Sequence, residues 1–318
     1  MTNVGTNTAT FIGSTGRQIG PTIDIINPAG VTTAPGPVAA VFNPTRNFTF
    51  TQNGLTVPAN FIIANQSGTI SAFNSRISRT TAFPVVNRAT AGARFIGLTT
   101  AQATTGPQLL ALNATNYTVE AFDTNFQPVT LAPGAFTDPS LPAGFTPASL
   151  QNIRGDVFVT FVMRDPFTGQ IITGPGTGVV DVFDASGNLI NRFVAGGTLN
   201  APTSVALAPR RFGNLSNSVL VSNFGTGTIT AFDPFSGEEL GQLVDLQGNT
   251  LTIPGLQSIS TGGRVTRRGQ LISGNQLFVA STDTSTGTGA DATSTVSVLR
   301  PFPRFGPSLR RSITIASG

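Results

Sequence analysis

Short alternations of apolar and polar residues recur along the chain, separated by clusters of Gly, Asn, Thr and Pro. The stretch NFGTGTITAFDP (223–234) joins a glycine turn to an alternating strand that ends in Phe-Asp. Alternation with a period of two, bounded by turn residues, predicts half-buried β-strands. No long stretch has apolar residues at helical spacing. The pattern therefore predicts an all-β protein.

This stretch is one of six copies of a repeated phrase. The copies end near Phe11, Phe73, Phe122, Phe183, Phe232 and Leu299, which lie 49 to 67 residues apart. An apolar strand directly precedes each of the later five copies. A strand rich in small residues comes earlier in each of these units, at 37–44, 93–100, 146–153, 201–209 and 255–263. With an outer strand after each phrase, the unit has four antiparallel strands.

Four strands repeated six times at this spacing predict a six-bladed β-propeller, with residues 1–318 as a single domain. The small-residue strands would line its central channel. A β-sandwich or a β-helix is the alternative architecture.

The two ends of the chain complement each other in this scheme, because the first unit lacks its early strands. Residues 308–318 are predicted to form a closing strand. The second strand of the first blade, next to residues 6–12, would consist of Ser312, Ile313, Thr314, Ile315 and Ala316. Closure of this kind protects exposed sheet edges. The same pairing between two chains would be strand exchange, which stays the alternative.

Composition narrows the chemistry. The chain has no His and no Cys, and all 18 basic residues are Arg, so Lys is also absent. Acid–base catalysis by His, thiolate chemistry, Schiff bases and a phosphate-binding lysine are therefore excluded. We expect no enzyme activity and no cofactor. The net charge of +4 is small for 318 residues, so nucleic acid is not an expected partner. Neither a signal peptide nor a membrane span is visible.

Three stretches of the chain resemble a family of uncharacterised bacterial propeller-type proteins: residues 116–161, 174–209 and 219–243. Many members are exported and carry a PEP-CTERM sorting signal. The motifs FTDPSLPAGFTP (136–147) and GPGTGVVDVFD (174–184) are the most specific parts of the resemblance. The chain departs from the family in lacking the sorting tail and in having Thr203-Ser204-Val205 where Trp-Gly-Leu/Ile is common. The resemblance implies a fold and an extracellular or cell-surface setting, and it implies no catalytic residues.

Three kinds of candidate site remain. Asp283, Ser285 and Asp291 share a Gly-rich loop whose oxygen atoms could hold a Ca²⁺ ion, although with only two carboxylates a polar loop between strands is the plainer explanation. Asp123, Asp184 and Asp233 follow the phrase phenylalanines, where a carboxylate caps an Asx-type turn. Seven arginines crowd the last 55 residues and form a candidate interaction patch for an acidic surface or polyanion: Arg264, Arg267, Arg268, Arg300, Arg304, Arg310 and Arg311.

Together these features predict a non-enzymatic structural or interaction protein, extracellular or on a surface. Other copies of the same chain are the expected partners, joined through propeller faces or by terminal strand exchange, and a filament is one form that this assembly would take. One alternative is a ligand-binding or hydrolytic propeller that acts at the axial channel. Another is polyanion binding through the C-terminal arginines.

Overall fold

The computed structural model of the protein describes residues 2–3, 5–13, 17–265, 271–283, 293–301 and 307–314. The regular secondary structure of this part of the chain is almost entirely β-strand. Its helices are two single 3₁₀ turns, Ala89–Ala91 and Gly213–Leu215. The all-β prediction is confirmed.

The first nine strands form a seven-stranded sheet and a separate hairpin. The sheet contains β1 (Thr2–Asn3), β2 (Thr8–Ile12), β3 (Gln18–Ile25), β4 (Pro37–Phe42), β7 (Phe61–Asn65), β8 (Thr69–Phe73) and β9 (Thr81–Asn87). The hairpin consists of β5 (Thr49–Gln52) and β6 (Leu55–Pro58). In the sheet order β1-β2-β3-β9-β8-β7-β4, the strands β4-β7-β8-β9 form one antiparallel unit. A short parallel contact between β3 and β9 joins it to β1-β2-β3.

Four further sheets follow, each made of four consecutive antiparallel strands. The first contains β10 (Phe95–Ala103), β11 (Gly106–Asn113), β12 (Thr118–Phe122) and β13 (Pro128–Val129). The second contains β14 (Phe145–Ile153), β15 (Asp156–Met163), β16 (Gly178–Phe183) and β17 (Leu189–Ala195). The third contains β18 (Pro202–Leu207), β19 (Val219–Asn223), β20 (Thr228–Phe232) and β21 (Glu239–Gln242). The fourth contains β22 (Leu256–Val265), β23 (Leu271–Asp283), β24 (Thr293–Pro301) and β25 (Pro307–Thr314).

The small-residue strands are the first strands of these units and contact one another in succession. β4 packs against β10, β10 against β14, β14 against β18, and β18 against β22. Small residues are needed where they converge: a Cβ atom on Gly97 would lie only 2.7 Å from the Leu150 side chain of the next sheet. The four-stranded sheets thus have a propeller-like arrangement, and we call each sheet a blade.

The repeated phrase is the third strand of each complete blade, as the spacing predicted. Its terminal apolar residue is buried in every case: Phe73, Phe122, Phe183, Phe232 and Leu299 are at most 4% exposed. These side chains lie in the hydrophobic clusters between and within blades. The Phe-Asp ending therefore places an aromatic ring in the core and a turn immediately after it.

The turn carboxylates act as the sequence predicted. Asp123 Oδ1 accepts hydrogen bonds from the backbone amides of Asn125 and Gln127 at 2.8 Å. Asp184 and Asp233 make the equivalent contacts with the amides that follow them. In the folded protein these hydrogen bonds lower the pKa of Asp233 and outweigh burial to lower that of Asp184. Each carboxylate fixes the connection to the outer strand of its blade.

The C-terminal strand is placed differently from the prediction. Ser312, Ile313 and Thr314 belong to β25, which pairs with β24 as the outer strand of the last blade, and not with the first unit. Ile315 and Ala316 lie outside the described residues. β24 and β25 are neighbours in sequence, so pairing them closes a short loop. Reaching the opposite end of the chain costs more loop entropy.

Glycine is required in the phrase turn because a neighbouring backbone lies against it. Gly227 has φ +69°, and a Cβ atom there would overlap the carbonyl oxygen of Ile253 in the connection to the next blade. The amide of Ile253 also donates a 2.8 Å hydrogen bond to the Gly227 carbonyl. Gly68 approaches Ala93 in the same way in an earlier blade. The glycine therefore sets the distance between consecutive blades.

Replacement of Gly227 by Ala should destabilise the protein more than the same change at Gly248. Gly248 also has positive φ, but open space surrounds its missing side chain. Gly248→Ala should lower the free energy of unfolding by about 1–2 kcal/mol through backbone conformation alone. Gly227→Ala should lose about 1–3 kcal/mol more, because overpacking adds to that strain. Urea denaturation of both variants measures the difference. Equal losses would show that the contact with Ile253 is unimportant.

Candidate functional site

Two loops of the protein share the pattern Asp-Pro-Phe-Ser/Thr-Gly and the same internal structure. One is residues 165–169, after β15, and the other is residues 233–237, after β20. In the first, Asp165 Oδ1 accepts hydrogen bonds from the amides of Phe167 and Thr168 at 3.0 and 2.7 Å. Proline sets φ at the second position, and glycine adopts positive φ at the fifth. The loop is therefore held by its own sequence.

The second loop repeats these contacts. Asp233 Oδ1 accepts hydrogen bonds from the amides of Phe235 and Ser236, each at 2.9 Å. In both loops the glycine amide donates to the aspartate carbonyl, at 2.8 Å in the first and 3.0 Å in the second. We call the two segments the Phe167 loop and the Phe235 loop. Each fixes the backbone that carries its phenylalanine.

Both loops present their phenylalanine to solvent. Phe167 is 95% exposed and Phe235 is 85% exposed, which makes them the most exposed large apolar side chains of the described residues. Position in a turn does not force this exposure, because Phe126 in the turn after β12 is only 4% exposed. Exposed aromatic side chains on rigid supports are typical anchors of protein–protein contacts. The two loops are therefore the first element of the candidate site.

A groove of about 810 Å³ lies beside the Phe235 loop. Leu207, Ala208 and Leu240 give it an apolar lining, and Arg154 and Arg210 supply positive charge at its sides. The Arg154 guanidinium carbon lies 5.9 Å from the centre of the Phe235 ring, within the range of a cation–π contact. The groove thus combines an aromatic anchor, aliphatic surface and cations.

Sequence reasoning did not single out either loop or this groove. The signal was present, because the five-residue pattern occurs twice, but the sequence alone does not tell whether a turn phenylalanine points into the core or into solvent. The arginines of the groove come from different blades. Arg154 lies in the turn after β14, and Arg210 follows β18.

A second cluster of polar side chains lies where the β13–β14 connection meets strands β16 and β17. Asp181 in β16 is 0% exposed, and the Arg192 Nε atom in β17 lies 3.4 Å from its Oδ1. Arg192 also pairs with Asp138 and donates a 2.8 Å hydrogen bond to Ser140 Oγ. The residues 138 and 140 belong to the long β13–β14 connection. Arg192 therefore ties that connection to the next blade.

The two carboxyl groups of this cluster titrate in opposite directions. Burial raises the pKa of Asp181 to about 7, with a further rise from the Asp138 charge and opposition from Arg192. Burial also acts to raise the pKa of Asp138, but hydrogen bonds from Ser140 and Arg192 and the Arg192 charge outweigh it, so the pKa of Asp138 is lowered. A protonated Asp181 next to an ionised Asp138–Arg192 pair leaves the cluster neutral.

A carboxyl group with pKa near 7 has the property of a general acid. Asp181 is nevertheless enclosed by protein on all sides, so a dissolved substrate does not reach it in this structure. Asp138 lies in the motif at 136–147 and Asp181 in the motif at 174–184, and no local pattern pairs the two residues. Through Arg192 they hold the β13–β14 connection against the blade of β14–β17.

The residues predicted as sites lie mostly at the end of the chain. Asp283 ends β23, and Ser285 and Asp291 of the predicted Ca²⁺ loop lie outside the described residues. Among the described residues there is no group of three or more His, Cys, Asp or Glu side chains that could hold a metal ion.

The predicted arginine patch is spread over several strands and connections. Arg264 lies in β22, Arg300 in β24, and Arg310 and Arg311 in β25. Arg267, Arg268 and Arg304 lie outside the described residues. Its role as an interaction surface stays a prediction. Neither of the two 3₁₀ turns found in the described ranges resembles a membrane-spanning helix in length or hydrophobicity.

Comparison with known proteins shows similarity to uncharacterised proteins of a giant virus. Protein R648 of Acanthamoeba polyphaga mimivirus is 30% identical over 230 residues, covering 70% of this chain and 56% of that protein. Protein R640 of the same virus is 32% identical over 205 residues, covering 63% of this chain and 37% of that protein. The chain therefore spans between about a third and three fifths of the viral relatives it matches. No family model matches it.

These relatives correct the assignment to a bacterial exported family with a PEP-CTERM signal, which was wrong. Stretches rich in Thr, Asn and Gly around Phe-Asp turns follow from the propeller repeat itself, so they do not identify a bacterial lineage. The three-dimensional fold resembles a chain of the nidogen/laminin complex, with a TM-score of 0.50, 10% identity, and coverage of 86% of this chain and 84% of that chain. This similarity supports the propeller-type fold alone.

The raised pKa of Asp181 predicts an unusual dependence of stability on pH. Between about pH 4 and pH 7 this carboxyl is protonated in the folded protein and ionised in the unfolded chain. The folded state then binds more protons, so stability falls as pH rises through this window, by at most about 1.4 kcal/mol per pH unit. The chain has no His to contribute a competing titration there.

Asp181→Asn should remove most of this slope. Urea denaturation at half-unit steps from pH 4.5 to 7.5 measures it for both proteins. Asp245→Asn is the matched control, because backbone hydrogen bonds in an exposed turn lower the pKa of Asp245. Its effect should therefore be confined to more acidic solutions. If wild type and Asp181→Asn had parallel curves, Asp181 would not titrate in this window.

Proposed function

We propose that the protein is a non-enzymatic structural or interaction protein that acts outside the cell or on a surface and self-associates through the faces of its propeller. The observation that carries this proposal is the pair of rigid loops that expose Phe167 and Phe235. Burying a phenylalanine is worth about 1.5–3 kcal/mol relative to exposure. A fold that holds two of them outward on self-supporting turns offers anchors for a partner.

The composition supports a role other than catalysis. A chain without His, Cys or Lys lacks the commonest bases and nucleophiles, and its carboxylates with lowered pKa values are engaged in turns. The proposed location outside the cell or on a surface is supported by composition alone: the chain has few charges, and its loops are rich in Thr, Asn and Gly. An acidic surface or polyanion remains the alternative partner of the C-terminal arginines.

We also infer that the propeller has six blades. Five four-stranded units are arranged in succession, and β2 carries a sixth copy of the repeated phrase between β1 and β3. β1 contacts β4, the first strand of the following unit, which supports a place for β1–β3 in the same ring. The first unit has three described strands where the others have four.

Self-association has two possible routes, and the structure favours one as the working hypothesis. Strand exchange would require β25 to leave β24, with which it shares seven paired residues. Contacts between propeller faces require no rearrangement of the fold. We therefore place the propeller faces first and strand exchange second.

The experiment is a mass measurement by light scattering over a range of protein concentrations, with negative-stain electron microscopy of the same samples. We expect the mass to rise with concentration above that of the 32.8 kDa chain and ordered assemblies to appear. A uniform particle of monomer mass at every concentration would contradict self-association and would favour the ligand-binding hypothesis.

Deletion of residues 308–318 distinguishes the two routes. It removes most of β25 and leaves both phenylalanine loops intact. If faces mediate assembly, the truncated protein should still associate, provided that its far-ultraviolet circular dichroism and melting show a folded chain. Assembly that is lost in a folded truncated protein would support strand exchange.

A further inference from the structure

The two phenylalanine loops lie on opposite faces of the propeller. In an antiparallel blade, the first-to-second and third-to-fourth connections lie at one end of the strands, and the second-to-third connection lies at the other. The Phe235 loop is a third-to-fourth connection, whereas the Phe167 loop is a second-to-third connection. Arg154 of the groove precedes β15 and Phe167 follows it. The eight residues of β15 separate them by about 26 Å.

The groove beside Phe235 has a charge that selects its occupant. In the described part of the chain, the ion pairs join Arg88 to Glu120 and Arg192 to Asp138 and Asp181. Arg154 and Arg210 therefore have no carboxylate partner there. Asp233 also lines the groove, but its single negative charge stands beside two arginines, so the lining keeps a net positive charge. The groove suits an aromatic group accompanied by a negative charge.

The Phe167 loop has this chemistry. Hydrogen bonds from backbone amides lower the pKa of Asp165, so this carboxylate stays ionised two residues from the exposed ring. Its Oδ1 holds the loop together, which leaves the rest of the carboxylate for a cation. A ring from this loop would lie against Phe235 and Leu240, with Asp165 close to Arg154 or Arg210.

We propose that the Phe167 loop of one copy docks in the Phe235 groove of a second copy. This inference rests on the proposed self-association and names its contact. Because the two surfaces are different and lie on opposite faces, the contact is head-to-tail. Each added copy then offers a fresh groove or a fresh loop, so association continues into a filament unless the rotation closes a ring. Loop and groove lie at the two ends of β15, so copies stack along the propeller axis.

The contact is modest in strength. One buried phenylalanine contributes about 150–250 Å² of the roughly 1,000 Å² that a specific interface needs. Loops around both anchors must contribute the rest, and assembly should depend on protein concentration. The pairing of Asp165 with an arginine at the rim should weaken with added salt.

A complementation experiment tests this geometry. Phe167→Ser removes the ring from one face, and Phe235→Ser removes it from the other, while both loops keep the aspartate contacts that fold them. Each variant alone should remain monomeric at concentrations at least ten times those at which the wild type assembles. An equimolar mixture should form a 1:1 dimer and stop, because each variant retains one intact surface. Light scattering of the separate and mixed samples gives the masses.

Ile190→Ser is the matched control, since Ile190 is 53% exposed on the outer strand β17 and belongs to neither loop and not to the groove lining. It should assemble like the wild type. Asp165→Asn, which keeps the loop acceptor and removes the charge, should assemble at higher concentration and lose the salt sensitivity.

The outcomes separate this contact from the broader proposal. If the wild type associates and either serine variant associates equally well, self-association stands and the head-to-tail contact is overturned. If both variants are monomeric and their mixture is also monomeric, the intact loop of one variant does not bind the intact groove of the other, and the inference is again overturned. A wild type that stays monomeric throughout overturns the proposed function, and this contact with it.

Discussion

Packing of each blade against the next, around the aromatic residue that ends the repeated strand, is the interaction on which the rest of the structure depends. Phe232 meets Phe193 of the preceding blade with ring centres 6.2 Å apart, and Phe122 meets Phe95 of its own blade edge-on at 6.4 Å. A single four-stranded sheet has two apolar faces and cannot bury either of them alone. Each blade is therefore stabilised by its neighbours, and the glycines of the phrase turns allow those neighbours to approach.

Polar residues inside this core follow the same repeat. An asparagine at the end of the second strand donates to a residue of the third strand in three blades: Asn65 to Ser71, Asn113 to Glu120, and Asn223 to Thr230. In the blade of β14–β17, Asp181 occupies the equivalent position of the third strand. Its side-chain partner is Arg192 and not an asparagine of the second strand. A buried ionisable group needs a charged partner or a shifted pKa. Asp181 has both, so we expect the packing of this blade to depend on pH.

Buried and exposed phenylalanines have different roles in this protein. The buried rings stabilise the fold, and the exposed rings are available to a partner. Most of the phrase rings are buried between blades, whereas Phe167 and Phe235 contribute nothing to the core. Their loops are fixed by local hydrogen bonds, so these two side chains can be exposed without loosening the fold. In the proposed head-to-tail contact, these two surfaces would make the propeller a repeating unit of a larger structure.

The sequence by itself determined the strands, their order within a blade and the carboxylate-capped turns, because alternation and Asx turns depend on residues close together in the chain. It also pointed to a propeller, since the repeat length reflects one blade. Contacts between distant residues were decided only by the tertiary structure. Arg192 and Asp138 are 54 positions apart, and nothing local pairs them. From the sequence, β25 could pair with the nearby strand β24 or with the remote first unit, and the tertiary structure pairs it with β24. Phe235 and Phe126 both lie in aspartate-capped turns after a third strand, and whether each ring is exposed or buried depends on what packs beside that turn.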